Sequence, residues 1–109
     1  MTVIFLPEVR KYFENLALIL YEKGYFSFED IAHKYVEDLF GEIKTSLPIR
    51  PHKPAPIYFD MYGKNMDYVG FPKNKRTTWY VFFTTYRENG EEIYLVRYIA
   101  NNHTIAQHL

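Results

Sequence analysis

The dipeptide Asn89-Gly90, set between two runs of strand-forming residues, constrains this chain more than any other feature. Asn-Gly is the preferred pair for a two-residue type I′ hairpin turn, because both turn positions require a positive φ. Before it, residues 77–86 read Thr-Thr-Trp-Tyr-Val-Phe-Phe-Thr-Thr-Tyr. After it, residues 93–100 read Ile-Tyr-Leu-Val-Arg-Tyr-Ile-Ala. Both runs are rich in β-branched and aromatic residues, which suit a pleated, half-buried surface.

A turn centred on this pair fixes a register in which facing residue numbers sum to 179. Arg87 then faces Glu92, a favourable cross-strand charge pair. Phe83 faces Val96, Val81 faces Tyr98 and Trp79 faces Ala100. Side chains alternate between faces with period two, so these six residues form one apolar face suited to covering helices. The other face pairs Phe82 with Arg97, Tyr80 with Ile99, Thr78 with Asn101 and Arg76 with His103. It is the more polar face, with its polar groups at the end away from the turn. A β-bulge anywhere along the pair breaks this sorting.

The rest of the chain supplies the helices. Residues 2–6, Thr-Val-Ile-Phe-Leu, read as a first strand. Pro7 suits a first helical turn, and Val9, Tyr12, Phe13, Leu16, Ala17, Ile19 and Leu20 follow at helical spacing before Gly24 stops the helix. Ser27 with Asp30 resembles a capping box, opening a second helix from Phe28 to about Thr45. Its apolar stripe is Phe28, Ile31, Ala32, Tyr35, Val36, Leu39, Phe40 and Ile43, and His33 lies on its solvated face. Prolines at 48, 51, 54 and 56 make residues 47–56 an irregular crossing loop. Ile57–Tyr62 and Met66–Phe71 read as further short strands, with turns at Gly63 and Gly70. No internal repeat is visible. The expected architecture is a single α+β domain over residues 1–109: a strand, a helical hairpin, and a mainly antiparallel sheet packed on the helices.

Composition narrows the function classes. There is no cysteine, which excludes disulfides and thiolate chemistry and fits a reducing cytoplasm. No signal peptide and no run long enough to span a membrane are visible, so a cytoplasmic location with no membrane partner is expected. The eleven Tyr and nine Phe either fill a small core or offer stacking surfaces for bases. Net charge is zero but unevenly placed. Residues 1–46 hold five Lys/Arg against eight Asp/Glu, and residues 47–109 hold eight against five. A basic C-terminal half suits a polyanion or an acidic partner, while ordinary surface scatter accounts for it equally well.

The register brings Arg76, Arg97, His103 and Tyr80 onto one face, a set able to do phosphodiester chemistry. Arginine holds a phosphate bidentately and stabilises developing charge. Histidine moves protons, and a tyrosine stacks on a base or donates its hydroxyl. Cleavage that uses the RNA 2′-OH as nucleophile requires no metal, and the four histidines show no metal-ligand spacing, so no cofactor is expected. The plainer reading makes the two arginines surface residues with apolar stems laid on the sheet, and His103 a polar strand end.

The order of elements resembles the RelE/ParE superfamily of toxins from toxin–antitoxin systems. So do the opening Val-Ile-Phe-Leu-Pro-Glu-Val-Arg-Lys-Tyr-Phe and the stretches Arg-Thr-Thr-Trp-Tyr-Val-Phe-Phe and Tyr-Leu-Val-Arg-Tyr-Ile. The likeness covers nearly the whole chain. It implies a toxin, held inactive by a cognate antitoxin protein. A RelE-like member is a ribosome-dependent mRNA endoribonuclease, whereas a ParE-like member inhibits DNA gyrase. A third alternative is a catalytically inactive, protein-binding member. By position, Arg76 resembles the family arginine on the penultimate strand, Arg97 the one on the last strand, and His103 the C-terminal histidine of the YoeB-like branch. Lys73 and Lys75 resemble the lysines before the hairpin. With Lys64 and Asn101 they are the expected RNA-binding residues, while Arg76, Arg97, His103 and Tyr80 are the expected catalytic ones.

Overall fold

The computed structural model describes residues 1–109. Strand β1 (Thr2–Phe5) leads into helices α1 (Pro7–Glu22) and α2 (Glu29–Ser46). Strands β2 (Lys53–Pro54), β3 (Asp67–Pro72), β4 (Thr78–Glu88) and β5 (Glu91–Asn101) follow, and a short helix α3 (Asn102–Ile105) comes after β5. The five strands form one sheet in the order β1-β5-β4-β3-β2. Only β1 and β5 run parallel. The architecture is α+β, with the helical hairpin packed on one sheet face, as the sequence predicts.

Local sequence explains the helix ends. Pro7 occupies the first turn of α1, where no amide donor is needed. Past the C-terminus Gly24 has φ +83°, and the Gly24 and Tyr25 amides bond the carbonyls of Tyr21 and Leu20. This is a Schellman closure, and it requires a residue at ease in the left-handed region. The capping box expected at Ser27 does not form. Phe28 is the N-cap of α2, and no side chain caps that end. Phe28 is 67 % exposed and Ile31 is also exposed, so the buried stripe of α2 narrows to Ala32, Val36, Leu39 and Ile43. These pack with Val9, Phe13, Leu16 and Leu20 of α1 onto Val69, Phe71, Trp79, Val81, Phe83, Val96 and Ile99 of the sheet.

The hairpin turns where expected, with φ +53° at Asn89 and +78° at Gly90. The expected register holds from Glu88–Glu91 through Arg87–Glu92 to Phe83–Val96. It then shifts by one residue. Phe82 pairs with Tyr98, Val81 with Ile99, Tyr80 with Ala100 and Trp79 with Asn101. Arg97 is the extra residue, a β-bulge in β5. The shift corrects the sequence reading beyond this point. Ile99 turns to the helices, and Tyr98 and Ala100 turn away from them.

The second face is covered rather than open. The segment after α2 crosses it, and the proposed strand at Ile57–Tyr62 is instead a 3₁₀ turn over Ile57–Met61. That turn seats Phe59 on Phe82 at a ring-centroid distance of 4.4 Å. Phe59, Met66, Phe82, Ala100 and Ile105 form this smaller core. Phe82 is fully buried there, a burial that contributes about 2 kcal/mol. Pro54 sits in the two-residue edge strand β2, where a missing amide donor does least harm.

Candidate functional site

The turn between β3 and β4 carries Lys73, Lys75 and Arg76. Its shape is set by Asn74, whose Oδ1 accepts from the Arg76 and Thr77 amides at 2.8 and 2.9 Å. The Lys73 amide bonds back to the Thr77 carbonyl at 2.9 Å. An Asn side chain closing onto amides two and three residues on is a common way to hold such a turn.

This turn is stitched to the end of β5. Asn102 Nδ2 donates to the Arg76 carbonyl at 3.0 Å, and Asn102 Oδ1 accepts from the Thr78 amide at 2.9 Å. The Asn102 amide thus takes the place of one more ladder rung. Asn101 caps α3 by accepting from the His103 amide at 3.0 Å. His103 Nε2 and Thr77 Oγ1 share a 3.1 Å hydrogen bond, whose donor is set by the imidazole tautomer. The expected ladder pair Arg76–His103 does not form, because β5 ends at Asn101 and Arg76 precedes β4. The two residues are joined instead through Thr77 and Asn102.

His103, Thr77, Asn74 and Asn101 rim a cavity of about 340 Å³ whose walls include Tyr25, Phe26, Tyr35 and Trp79. No acidic residue lines it. Tyr35 and Phe26 pack at 5.1 Å between ring centroids, and the buried Trp79 donates its indole N–H to the Tyr35 hydroxyl at 2.9 Å. Burial pushes the Tyr35 phenol above its ordinary value, partly offset by the indole donor. The Lys73 ammonium lies 5.6 Å from the centre of the Tyr35 ring, within cation–π range. Lys73, Lys75 and Arg76 have no ion-pair partner. An aromatic recess with a hydrogen-bonded imidazole on its rim therefore lies beside a turn that carries three unpaired cations, of which Lys73 reaches the recess wall.

The other expected site residues lie apart from it. Arg97 follows its bulge to the covered face, where Nε donates to Thr84 Oγ1 at 3.0 Å. Its stem lies over Gly63, where a Cβ would come within 2.6 Å of Arg97 Cδ. Tyr80 also points to the covered face, with its ring against Gly70 and 5.9 Å from the Tyr68 ring. Lys64 is exposed in the loop before Met66. Of the expected set, Lys73, Lys75 and Arg76 share one turn, Asn101 and His103 rim the recess beside it, and only Lys73 has a side-chain contact with the recess wall, while Arg97, Tyr80 and Lys64 lie elsewhere. Reading the sequence missed Thr77, Asn102 and the aromatic walls. The one usable signal was the polar run Asn101-Asn102-His103 directly after a strand.

No three His, Asp or Glu side chains stand close enough to hold a metal ion. No helix is long and apolar enough to cross a membrane. No protein-family model matches this chain, and neither curated proteins nor solved structures give a match.

Proposed function

We propose that this chain is a RelE/ParE-type toxin that cleaves mRNA on the ribosome and is restrained by a cognate antitoxin. The observation that carries the reading is the junction of His103 with the unpaired basic turn, through Thr77 and Asn102, at the mouth of an aromatic recess. Its support from the fold is the element order, which is the order the RelE/ParE resemblance implies.

In this reading a base stacks in the recess against Tyr35 and its neighbours, and Lys73 and Lys75 hold flanking phosphates. The ribose 2′-oxygen attacks the adjacent phosphorus, forming the 2′-O–P bond while the P–O5′ bond breaks. The products are a 2′,3′-cyclic phosphate and a free 5′-hydroxyl. His103 takes the proton that leaves the 2′-OH, and water supplies the proton that reaches the departing 5′-oxygen. The Arg76 guanidinium neutralises charge on the phosphoryl oxygens. Apart from that water proton, each step runs through groups of this chain and the RNA. Arg97 and Tyr80 have no part in it.

The test is induction without antitoxin, with growth and mRNA 5′ ends followed together. Growth should stop, with new ends at codon boundaries. Arg76→Ala and His103→Ala should each lower cutting by roughly 10²–10⁴-fold while leaving the folded structure in place. Undiminished cutting in both variants overturns the site. Trapped DNA cleavage complexes with intact mRNA would replace this reading with gyrase inhibition, and neither result would leave a binding-only protein.

A further inference from the structure

Asn74 and Asn101 both line the aromatic recess. Backbone groups decide which end of each side-chain amide stays free. Asn74 Oδ1 accepts from the Arg76 and Thr77 amides at 2.8 and 2.9 Å. Asn101 Oδ1 accepts from the His103 amide at 3.0 Å and from the Thr104 hydroxyl at 3.5 Å. An amide oxygen has two lone pairs, so both oxygens are fully engaged within the chain. The Nδ2 group of each, with two N–H donors, has no partner in the chain. The hydroxyl oxygens of the lining are engaged as well. Tyr35 receives the Trp79 indole N–H, and Thr77 Oγ1 is bonded to His103. No carboxylate lines the recess. Its free side-chain amide groups are therefore all donors.

We propose that the recess reads keto bases, taking uracil and guanine in preference to cytosine and adenine, and that Asn74 and Asn101 set this preference. Stacking on the aromatic walls is open to every base, so it adds affinity without choosing among them. The choice falls to the edge of the base that meets the amide donors. Uracil presents the O4 acceptor where cytosine presents an N4 amine. Guanine presents O6 beside N7 where adenine presents an N6 amine. A keto oxygen accepts from an Nδ2 group. An exocyclic amine at that place sets donor against donor, and both lose water without gaining a bond. Guanine enters by its O6 and N7 edge, which keeps its own N–H groups toward solvent. Uracil carries a single N–H between its two oxygens and is the better fit. The inference rests on the reading that a base enters this recess, and it does not depend on RNA cleavage.

The probes are the 5′-monophosphates of uridine, cytidine, guanosine and adenosine, each titrated onto the full chain while the Trp79 indole N–H is followed by NMR. The uridine nucleotide should bind about tenfold more tightly than the cytidine nucleotide, and the guanosine nucleotide about tenfold more tightly than the adenosine nucleotide. Asn74→Asp and Asn101→Asp change only the free end of the side chain from donor to acceptor. The retained Oδ1 still accepts from the same backbone amides, so the turn and the α3 cap persist. Each substitution should narrow the uridine-to-cytidine ratio, and the double variant should bring it below one. Repulsion of phosphate by the new carboxylates acts on all four probes alike and cancels in the ratio. Equal binding of the four, or a keto preference untouched by both substitutions, overturns the inference and leaves the nuclease reading standing. A Trp79 signal that no nucleotide moves overturns it together with the base stacking assigned to the recess. Keto-selective binding by a chain that leaves mRNA uncut would uphold the inference while the nuclease reading fails.

Discussion

Tyr35→Phe isolates one hydrogen bond on which the aromatic recess depends. Trp79 is 1 % exposed, and the Tyr35 hydroxyl, 2.9 Å away, is the acceptor for its indole N–H. The substitution removes that oxygen and keeps the ring, so the packing against Phe26 and the approach of Lys73 survive. A buried donor left without an acceptor costs about 1–3 kcal/mol. The recess beside it has about 340 Å³ of free volume, so water can enter and accept the bond. That places the cost near the low end, about 1 kcal/mol, or a fall in Tm of about 4 °C for a chain of this length. Trp79→Phe should cost more, since it also removes buried volume. In the double variant the two losses should fall short of additivity by about 1 kcal/mol. Urea unfolding of the four proteins measures this. Additivity within about 0.3 kcal/mol would refute the bond as a stabilising contact. RNA binding by Tyr35→Phe should be unchanged, because stacking needs the ring and not the hydroxyl.

Two further outcomes are expected. Burial raises the phenol pKa values of Tyr12, Tyr35 and Tyr98 in the folded chain, Tyr98 most, with Tyr62 and its hydrogen bond adding to the effect. Above about pH 10, the ordinary tyrosine value, the unfolded chain sheds these protons while the folded chain keeps them, so stability must fall as pH rises from there. Tm measured from pH 8 to 12 should drop above 10, and Tyr98→Phe should flatten the drop; a level profile in the parent chain would contradict the burial. Deletion of Arg97 should give a folded protein, because Val96 and Ile99 keep the helix side and Tyr98 and Ala100 the opposite side once the bulge is gone. The loss should be that of the bond to Thr84, about 1 kcal/mol, and a collapse of the cooperative transition would show that the bulge itself is required.

The hairpin was legible because its signal is local and chemical. Asn89 and Gly90 both need a positive φ, and few other pairs supply it at so little strain. The register carried correctly for as long as the alternation was informative. It failed at Tyr98-Ile99-Ala100, where every residue is apolar and a slip of one leaves the hydrophobic pattern intact. The same ambiguity hid the second core. Ile57–Tyr62 is an apolar run between Pro56 and Gly63, short enough to be a strand or a single helical turn. Nothing local signals that Phe59 reaches Phe82 across the sheet. The site was legible in part. Arg76 and His103 lie at the same end of the hairpin, as the wrong register also had them, but what links them is Thr77, Asn102 and the Arg76 backbone carbonyl rather than a cross-strand pair. Arg97 and Tyr80 were assigned to the site through alternation alone, and the bulge and the covering layer place them elsewhere.

Asn102 gives the sheet an unusual kind of last rung. Elsewhere in the ladder the hydrogen-bonding groups belong to the main chain and are the same whatever residue is encoded. Between the basic turn and His103 both bonds are made by one side-chain amide. The closure of the site is therefore written in a single codon: Asp there would present an acceptor to the Arg76 carbonyl, and Ala nothing at all. Selection can loosen or tighten the approach of His103 to the basic turn at that position without altering a single residue of the strands.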